Sequence, residues 1–145
     1  MEAVLLIGIQ ASGKTTFYLE RFFRTHLRLN LDMLRTRRRE RLLLAACLEA
    51  GQRFVVDNTN PTPADRARYI GPAREAHFAV IGYYLDVPAA EAVARNAGRP
   101  GKERVPERAI WATAARLEPP TREEGFDALY RLRPASDGWE VVPLE

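Results

Sequence analysis

The chain has 145 residues, of which 46% are hydrophobic and 28% are charged, and its formal net charge at pH 7 is +3. This length predicts one ordinary domain, residues 1–145, with a buried core and no room for a second domain of similar size. The composition is that of a globular protein, no apolar run approaches the roughly 18 residues of a membrane span, and no leader is recognisable, so we expect a cytoplasmic protein with no membrane partner.

The first predicted strand, residues 3–7, leads into the sequence Gly8-Ile9-Gln10-Ala11-Ser12-Gly13-Lys14-Thr15, which has the form G-x-x-x-x-G-K-T. A helix is expected over residues 16–23. In such a strand, loop and helix the backbone N–H groups and the helix N-terminus form a seat for phosphate. Lys14 is predicted to reach the β/γ-phosphates and the Thr15 hydroxyl to hold Mg²⁺. This motif, a P-loop, therefore predicts binding of a nucleoside triphosphate rather than a simple glycine-rich turn.

The next two predicted strands each end near an aspartate. Alternating polarity over residues 26–31 predicts a short, half-buried strand that ends at Asp32. A helix is expected over residues 35–48, and it closes at Gly51. Residues 53–57 form the following predicted strand, which delivers Asp57 at its end.

The remaining elements alternate in the same way. We expect helices at residues 64–76, 88–97 and 106–117, a fully buried strand at 78–85, and weaker strands at 129–132 and 140–142. This alternation predicts a parallel sheet with helices on both faces. The ligand crevice of such a sheet lies at the carboxyl ends of its strands, so the P-loop, Asp32, Asp57 and Asp86 should meet at one edge.

A basic segment lies close to the phosphate-binding loop. Residues 21–41 contain eight arginines against two acids, Asp32 and Glu40. This excess of positive charge is compatible with an anionic partner larger than a nucleotide, such as a nucleic acid. A solvated arginine-rich face would give the same composition.

The segment from Asn30 to Arg35 places an acid and a base three residues apart, just after a strand. If a helix begins near Asp32, both side chains lie on one side of its first turn. Asp32 could then accept the proton of an attacking hydroxyl, and Arg35 could hold a neighbouring phosphate. Alternatively Asp32 is the N-cap of the helix, and spacing alone leaves both interpretations open.

Three motifs together resemble the kinase domain of the polynucleotide 5′-hydroxyl kinases, as found in repair enzymes of the polynucleotide kinase/phosphatase type. They are the P-loop, Asn30-x-Asp32-x-x-Arg35, and Val56-Asp57-Asn58-Thr59-Asn60. The likeness continues through Arg95-x-x-x-Arg99, Arg104-Val105-Pro106-Glu107 and Glu124-Gly125-Phe126-Asp127, and so covers nearly the whole chain. It implies a three-layer α/β/α P-loop kinase fold with a mostly parallel sheet of four to five strands. It also implies transfer of the ATP γ-phosphate to a 5′-OH end of DNA or RNA, with ATP and Mg²⁺ as cofactors.

The resemblance also implies roles for individual residues. Asp32 is expected to be the general base, Arg35 the clamp on the acceptor's 3′-phosphate, and Arg95 and Arg99 arginines of a lid over residues 95–106, with Lys14 completing the catalytic set. The residues expected to bind ATP are Gly8, Gln10, Ala11, Ser12, Gly13, Lys14, Thr15, Thr16, Arg95, Arg99 and Arg104.

The loop after the third predicted strand has two possible uses. Asp57 ends an apolar strand and could hold Mg²⁺ through water, together with Thr15. Equally, Asp57, Asn58, Thr59 and Asn60 could shape the acceptor pocket, because such side chains readily bond backbone and ribose. Arg66 is expected at the surface, with this pocket as the alternative.

Two other functions remain open at this point. One is a small-molecule kinase of the gluconate, antibiotic or toxin type, because related small kinases share the P-loop and an Asp-x-x-Arg. The acceptor cleft separates this alternative from a polynucleotide kinase, since residues 35–41 should line the cleft if the acceptor is polyanionic. The other is a nucleic-acid-binding ATPase or switch that hydrolyses ATP and transfers nothing, since a P-loop does not choose among these chemistries.

Overall fold

The computed structural model describes the chain from Met1 to Glu145. Its strands are β1 (Glu2–Ile7), β2 (Leu27–Leu29), β3 (Phe54–Asp57), β4 (Ala79–Leu85), β5 (Ala128–Ala135) and β6 (Gly138–Pro143). Its helices are α1 (Lys14–Arg21), α2 (Leu31–Leu34), α3 (Arg37–Ala50), α4 (Pro63–Glu75), α5 (Ala89–Ala97) and α6 (Glu107–Arg116), with short 3-10 turns at Gly101–Glu103 and Arg122–Glu124. None of these helices has the length and apolar character needed to cross a membrane.

All six strands form one sheet in the order β2-β3-β1-β4-β5-β6. The first five are parallel, and β6 returns antiparallel to β5. The mostly parallel sheet is therefore confirmed, with one strand more than the four to five expected. The sixth strand belongs to the hairpin of β5 and β6, which the sequence predicts only as weak strands over residues 129–132 and 140–142.

Helices cover the sheet on both faces, as the alternation of elements predicts. Residues Ala3 to Ile7 of β1 are fully buried and alternate between the two sides. Leu5 packs in the cluster that contains Cys47 of α3 and Tyr69 of α4, whereas Leu6 packs with Phe17 of α1. This arrangement confirms the three-layer α/β/α fold.

A smaller cluster attaches α5 and α6 to the loop after β1. Ile9 and Ala11 of the P-loop pack with Ala92 of α5 and Ile110 of α6. The segment predicted to form a lid connects these two helices. Packing therefore fixes both ends of that segment relative to the P-loop.

The carboxyl ends of the parallel strands lie at one edge of the sheet. Leu6 of β1 is paired with Asp57 of β3, and Leu29 of β2 with Val56. The P-loop, Asp32 and Asp57 all follow or end these strands and line one cleft, so the predicted meeting point is confirmed for these three. The expectation is wrong for Asp86, which follows β4 but is not among the lining residues and accepts a hydrogen bond from Arg133 at 3.3 Å.

The helix predicted over residues 35–48 differs from the structure at its start. Helix α2 ends before Arg35, which has a positive φ of 77°, and α3 begins only at Arg37. The Thr36 hydroxyl accepts a hydrogen bond from the Arg39 N–H and so caps α3. At the other end Gly51 adopts a φ of 69° and closes the helix as expected.

Candidate active site

A cleft of ≈ 1060 Å³ opens at the carboxyl edge of the sheet. The predicted site residues that line it are Gln10, Ala11, Gly13, Lys14, Thr15, Thr16, Asp32, Asp57, Asn58, Thr59, Asn60 and Arg99. The predicted site residues that are not among its lining residues are Gly8, Ser12, Arg35, Arg95 and Arg104. Most of the predicted set is therefore brought together in one place.

The P-loop takes a shape that requires its second glycine. Gly13 has a φ of 101° and precedes the first residue of α1. A Cβ atom at Gly13 would also lie only 2.7 Å from Cη2 of Trp139, so a larger residue would meet both strain and a clash. At the start of the loop the Gly8 N–H donates to the Thr59 carbonyl at 3.0 Å. That bond ties the P-loop to the loop after β3.

Lys14 is held within its own loop. Its Nζ donates to the carbonyls of Gly8 at 2.9 Å and Ile9 at 2.8 Å. Burial lowers the pKa of Lys14 from 10.5 to about 8, and nearby Arg99 acts in the same direction, while the charges of Asp57 and Asp32 partly oppose it. The Lys14 ammonium therefore loses its proton at a lower pH than an ordinary lysine, and a phosphate beside it would favour the charged form.

Thr15 and Asp57 form the oxygen pair suited to a divalent ion. The Thr15 hydroxyl donates to Asp57 Oδ2 at 3.1 Å, and the Asp57 side chain is almost fully buried. A hydroxyl and one carboxylate fit Mg²⁺, which usually keeps several waters and completes its shell with substrate phosphates. No group of three or more His, Cys, Asp or Glu residues is placed to hold a metal without such help.

Asp32 is on α2, with an exposed side chain that lines the cleft. It is not the N-cap of the helix, because the Asn30 side chain fills that role by accepting a hydrogen bond from the Met33 N–H at 3.0 Å. No hydrogen bond engages the Asp32 carboxylate. The N-cap interpretation is therefore wrong, and this carboxylate is available to a ligand in the cleft.

A buried polar network supports the loop after β3. Glu40 of α3 is 1% exposed and accepts hydrogen bonds from Tyr69, from Arg37 and from Asn58. Asn58 also accepts the Leu31 N–H at 3.0 Å, which fixes the start of α2. Burial, and then the charge of Glu40, raise the pKa of the Tyr69 hydroxyl. These bonds hold α2, with its Asp32, in a set position relative to β3.

Thr59 and Asn60, the other residues of the loop after β3 that were expected to shape the acceptor pocket, form hydrogen bonds with the backbone of β1 and the P-loop. Asn60 is buried, has a φ of 48°, and donates from Nδ2 to the Leu6 carbonyl at 2.8 Å. Thr59 uses its carbonyl to hold Gly8, as described above. Both residues line the cleft and at the same time join β3 to β1.

The three arginines of the segment predicted to form a lid differ in position. Arg99 lines the cleft, close enough to Lys14 to affect its pKa. Arg95 pairs with Glu91 at 3.4 Å, and its Nη1 lies 3.7 Å from the position that a Cβ atom at Gly13 would occupy. Arg104 donates to the carbonyls of Ala97 and Arg99, at 2.8 Å and 3.2 Å, and so stabilises the conformation of its own segment.

Arg66 is neither at the surface nor in the acceptor pocket, and both expectations for it are wrong. Its side chain is fully buried and forms an ion pair with Glu124 at 2.8 Å. The same guanidinium donates to the backbone carbonyls of Asn60, Pro61 and Glu118. Arg66 therefore fastens the loop after β3 to the segment that precedes β5.

Sequence reasoning missed Arg28 and Glu40. Arg28 was placed on a strand by its polarity, and only the pairing of β2 with β3 brings it to Asp57. For a polyanionic acceptor, residues 35–41 were expected to line the acceptor cleft, and of these only Arg37 is among its lining residues. Glu40, in the same segment, gave the one available signal, since a lone acid among arginines invites an internal partner.

Comparison with known proteins adds a family and one curated relative. A family described as AAA domain matches residues 32–120, more than half of the chain. The bifunctional polynucleotide phosphatase/kinase of Schizosaccharomyces pombe is 30% identical over 131 residues, which cover 86% of this chain and 32% of that protein. The chain thus spans about a third of the length of that relative.

Solved structures share the fold. Kti12 from Chaetomium thermophilum, in complex with ADP-AlF3, has a TM-score of 0.68 at 17% identity, covering 90% of this chain and 88% of that one. A gluconokinase from Sinorhizobium meliloti has a TM-score of 0.63 at 17% identity, covering 93% of this chain and 83% of that one. At these identities the likeness establishes the P-loop kinase fold alone.

Proposed function

The chain belongs to the AAA domain family, and from this premise we propose that it is an ATP-dependent kinase whose acceptor is a hydroxyl group, in the first place the 5′-OH end of DNA or RNA. The polynucleotide acceptor is supported by the identity of 30% to a polynucleotide phosphatase/kinase. It is supported further by the arginine-rich stretch that begins α3.

One observation carries the proposal of transfer rather than mere binding. The Asp32 carboxylate lies in the same cleft as Lys14 and Thr15, exposed and without a hydrogen-bond partner of its own. A carboxylate in that position can accept the proton of an alcohol as the alcohol attacks the γ-phosphate.

In the proposed reaction, the P-loop and the lid bind the phosphate donor, ATP. The amides of the first turn of α1 have no carbonyl partner within the helix, and Lys14 brings a positive charge to the same place. Arg99, from the lid, adds a second charge that would neutralise the transferring phosphoryl group. Mg²⁺ bound with the nucleotide at Thr15 and Asp57 would supply further charge neutralisation between the phosphates. Catalysis here consists of positioning and electrostatics.

The acceptor side falls to α2, the start of α3 and the loop after β3. The resemblance assigns the grip on the acceptor's phosphate to Arg35, which is exposed but is not among the lining residues of the cleft. Arg37 does line it, and hydrogen bonds to Glu40 and Tyr69 hold its guanidinium in place. We therefore include Arg37 with Arg35 as a candidate for contact with the strand that carries the 5′-OH.

An acceptor panel tests the proposal. The purified protein is incubated with γ-labelled ATP and, in parallel, with 5′-OH DNA, 5′-OH RNA, the matching 5′-phosphorylated strands, and a set of hydroxylated metabolites that includes gluconate. Label should appear on the 5′-OH strands and be absent from the 5′-phosphorylated controls. Label on metabolites alone would replace the polynucleotide acceptor with a small molecule, and phosphate release without labelled product would indicate an ATPase.

A further inference from the structure

Arg28 makes direct contacts with both oxygen groups of the candidate metal site. Its Nε donates to Asp57 Oδ2 at 2.9 Å, and its Nη2 donates to the Thr15 hydroxyl oxygen at 3.2 Å. The Arg28 side chain is 25% exposed and that of Asp57 is 2% exposed, so this ion pair is largely shielded from water. Screening by solvent is weak for such a pair.

The fold explains how a strand residue reaches this position. Arg28 is the middle residue of β2 and is paired with Val55 of the neighbouring parallel strand β3. Its guanidinium carbon lies 5.9 Å from the centre of the Tyr18 ring, so the side chain runs past α1 toward the carboxyl edge of the sheet. Asp57, at the end of β3, receives it there.

Positive charges outnumber negative ones around Lys14 and Asp57. Arg28 pairs with Asp57, while Arg99, Asp57 and Asp32 all lie close enough to Lys14 to act on its pKa, which gives three positive charges against two negative ones. A divalent cation arriving alone would meet net repulsion, and Arg28 is the cation bonded to the two oxygens that the ion needs. A triphosphate reverses this balance, because it brings about four negative charges.

We propose that Arg28 is the resident counter-ion of Asp57, and that it excludes a divalent ion from Thr15 and Asp57 until a nucleotide triphosphate brings the ion with it. This inference rests on the proposed function only in taking Thr15 and Asp57 as the metal-side groups. It makes metal binding conditional on nucleotide binding. Arg28 is in this sense a positioning residue for the site.

The test is a titration of the nucleotide-free protein with Mn²⁺, with the unbound ion followed by electron paramagnetic resonance. Arg28→Gln should bind Mn²⁺ at least about tenfold more tightly than the wild-type protein, because a charge within hydrogen-bond distance of the ligands is removed. Arg28→Lys, which keeps the charge, should stay near the wild-type affinity. Arg21→Gln is the matched control. It also removes a positive charge, but the Arg21 guanidinium lies over the Phe17 ring and does not contact Asp57.

A double variant locates the effect. Arg28→Gln combined with Asp57→Asn should lose the gained Mn²⁺ affinity, and thermal unfolding of each variant shows whether it is folded. The proposal is overturned if Arg28→Gln binds Mn²⁺ no more tightly than Arg21→Gln, or if the wild-type protein already binds the ion as tightly. The measurement requires no acceptor, so failure of the polynucleotide kinase proposal would leave its result intact, and its own failure would leave the kinase proposal standing.

Discussion

Lys14 links the chemistry of the P-loop to pH. Its pKa is lowered to about 8 in the free protein because burial disfavours the ammonium, whereas a bound triphosphate favours the charged form. At a pH above this pKa, binding of ATP must therefore be accompanied by uptake of a proton on Lys14. The affinity for ATP should be flat below the lowered pKa and should fall by up to about tenfold per pH unit above it.

Isothermal titration calorimetry in buffers of different ionisation enthalpy checks this prediction, because proton uptake changes the observed heat. Lys14→Arg provides the control, since a guanidinium stays charged over the whole range and should abolish the pH step. An ATP affinity that is equal on both sides of the pKa of Lys14 would show that the free lysine is not perturbed in the way described.

At the acceptor side, Arg35 and Arg37 are the two proposed contacts for an anionic acceptor. Arg37→Gln should raise the KM for a 5′-OH oligonucleotide by about tenfold with little change in kcat, because it removes a charge-assisted hydrogen bond to the strand from within the cleft. Arg38→Gln, at an exposed position on the same helix that does not line the cleft, should leave KM unchanged. Steady-state kinetics of these two variants and of Arg35→Gln make the comparison. A larger effect at Arg35 than at Arg37 would support the assignment implied by resemblance and contradict the one drawn from the cleft.

At the scale of elements, the hairpin of β5 and β6 reaches the P-loop through Trp139. The Trp139 ring packs on Gly13 and on Phe17 of α1, so nucleotide binding at the P-loop should change its surroundings. The chain has one other tryptophan, Trp111, which is 48% exposed on α6. Trp111→Phe should retain a fluorescence change on addition of ATP, and Trp139→Phe should lose it. Equal responses from the two variants would show that Trp139 does not report on the P-loop.

The buried ion pair of Arg66 and Glu124 joins two segments that the sequence separates. Arg66→Met should lower the free energy of unfolding by about 3–5 kcal/mol, because it leaves the Glu124 carboxylate without its partner. Arg68→Met, on the exposed face of the same helix, should change it by no more than about 0.5 kcal/mol. Urea denaturation measures both. A small loss for Arg66→Met would mean that the pair contributes little to stability.

At the scale of the whole molecule, the sequence predicted what local patterns encode. The buried run of β1, the P-loop and the placement of Asp57 at a strand end all follow from neighbouring residues. Two features did not follow. The break between α2 and α3 depends on a positive φ at Arg35, a residue type with no particular preference for it. The contact of Arg28 with Asp57 depends on strand order, which periodicity does not reveal.

The site was predictable to the same extent. Residues of the P-loop and of the loop after β3 were found because their motif is continuous in sequence. The bonds that support them come from elsewhere: Glu40 of α3 and Tyr69 of α4 meet at Asn58 only in the folded chain. Arg66 was misplaced for the same reason, because its ion-pair partner Glu124 is 58 residues away. Long-range polar pairs of this kind leave no periodic trace in the sequence.

The central claim is that Asp32 accepts a proton from the hydroxyl that attacks ATP, and one comparison tests it most directly. The rate of label transfer from γ-labelled ATP to the acceptor identified by the panel is measured for the wild-type protein and for Asp32→Ala, with ATP affinity measured alongside. Transfer should fall by about 10²–10⁴-fold, the usual contribution of a general base, while ATP affinity stays within about threefold of the wild-type value. Transfer at the wild-type rate, or loss of transfer together with ATP binding, would contradict it.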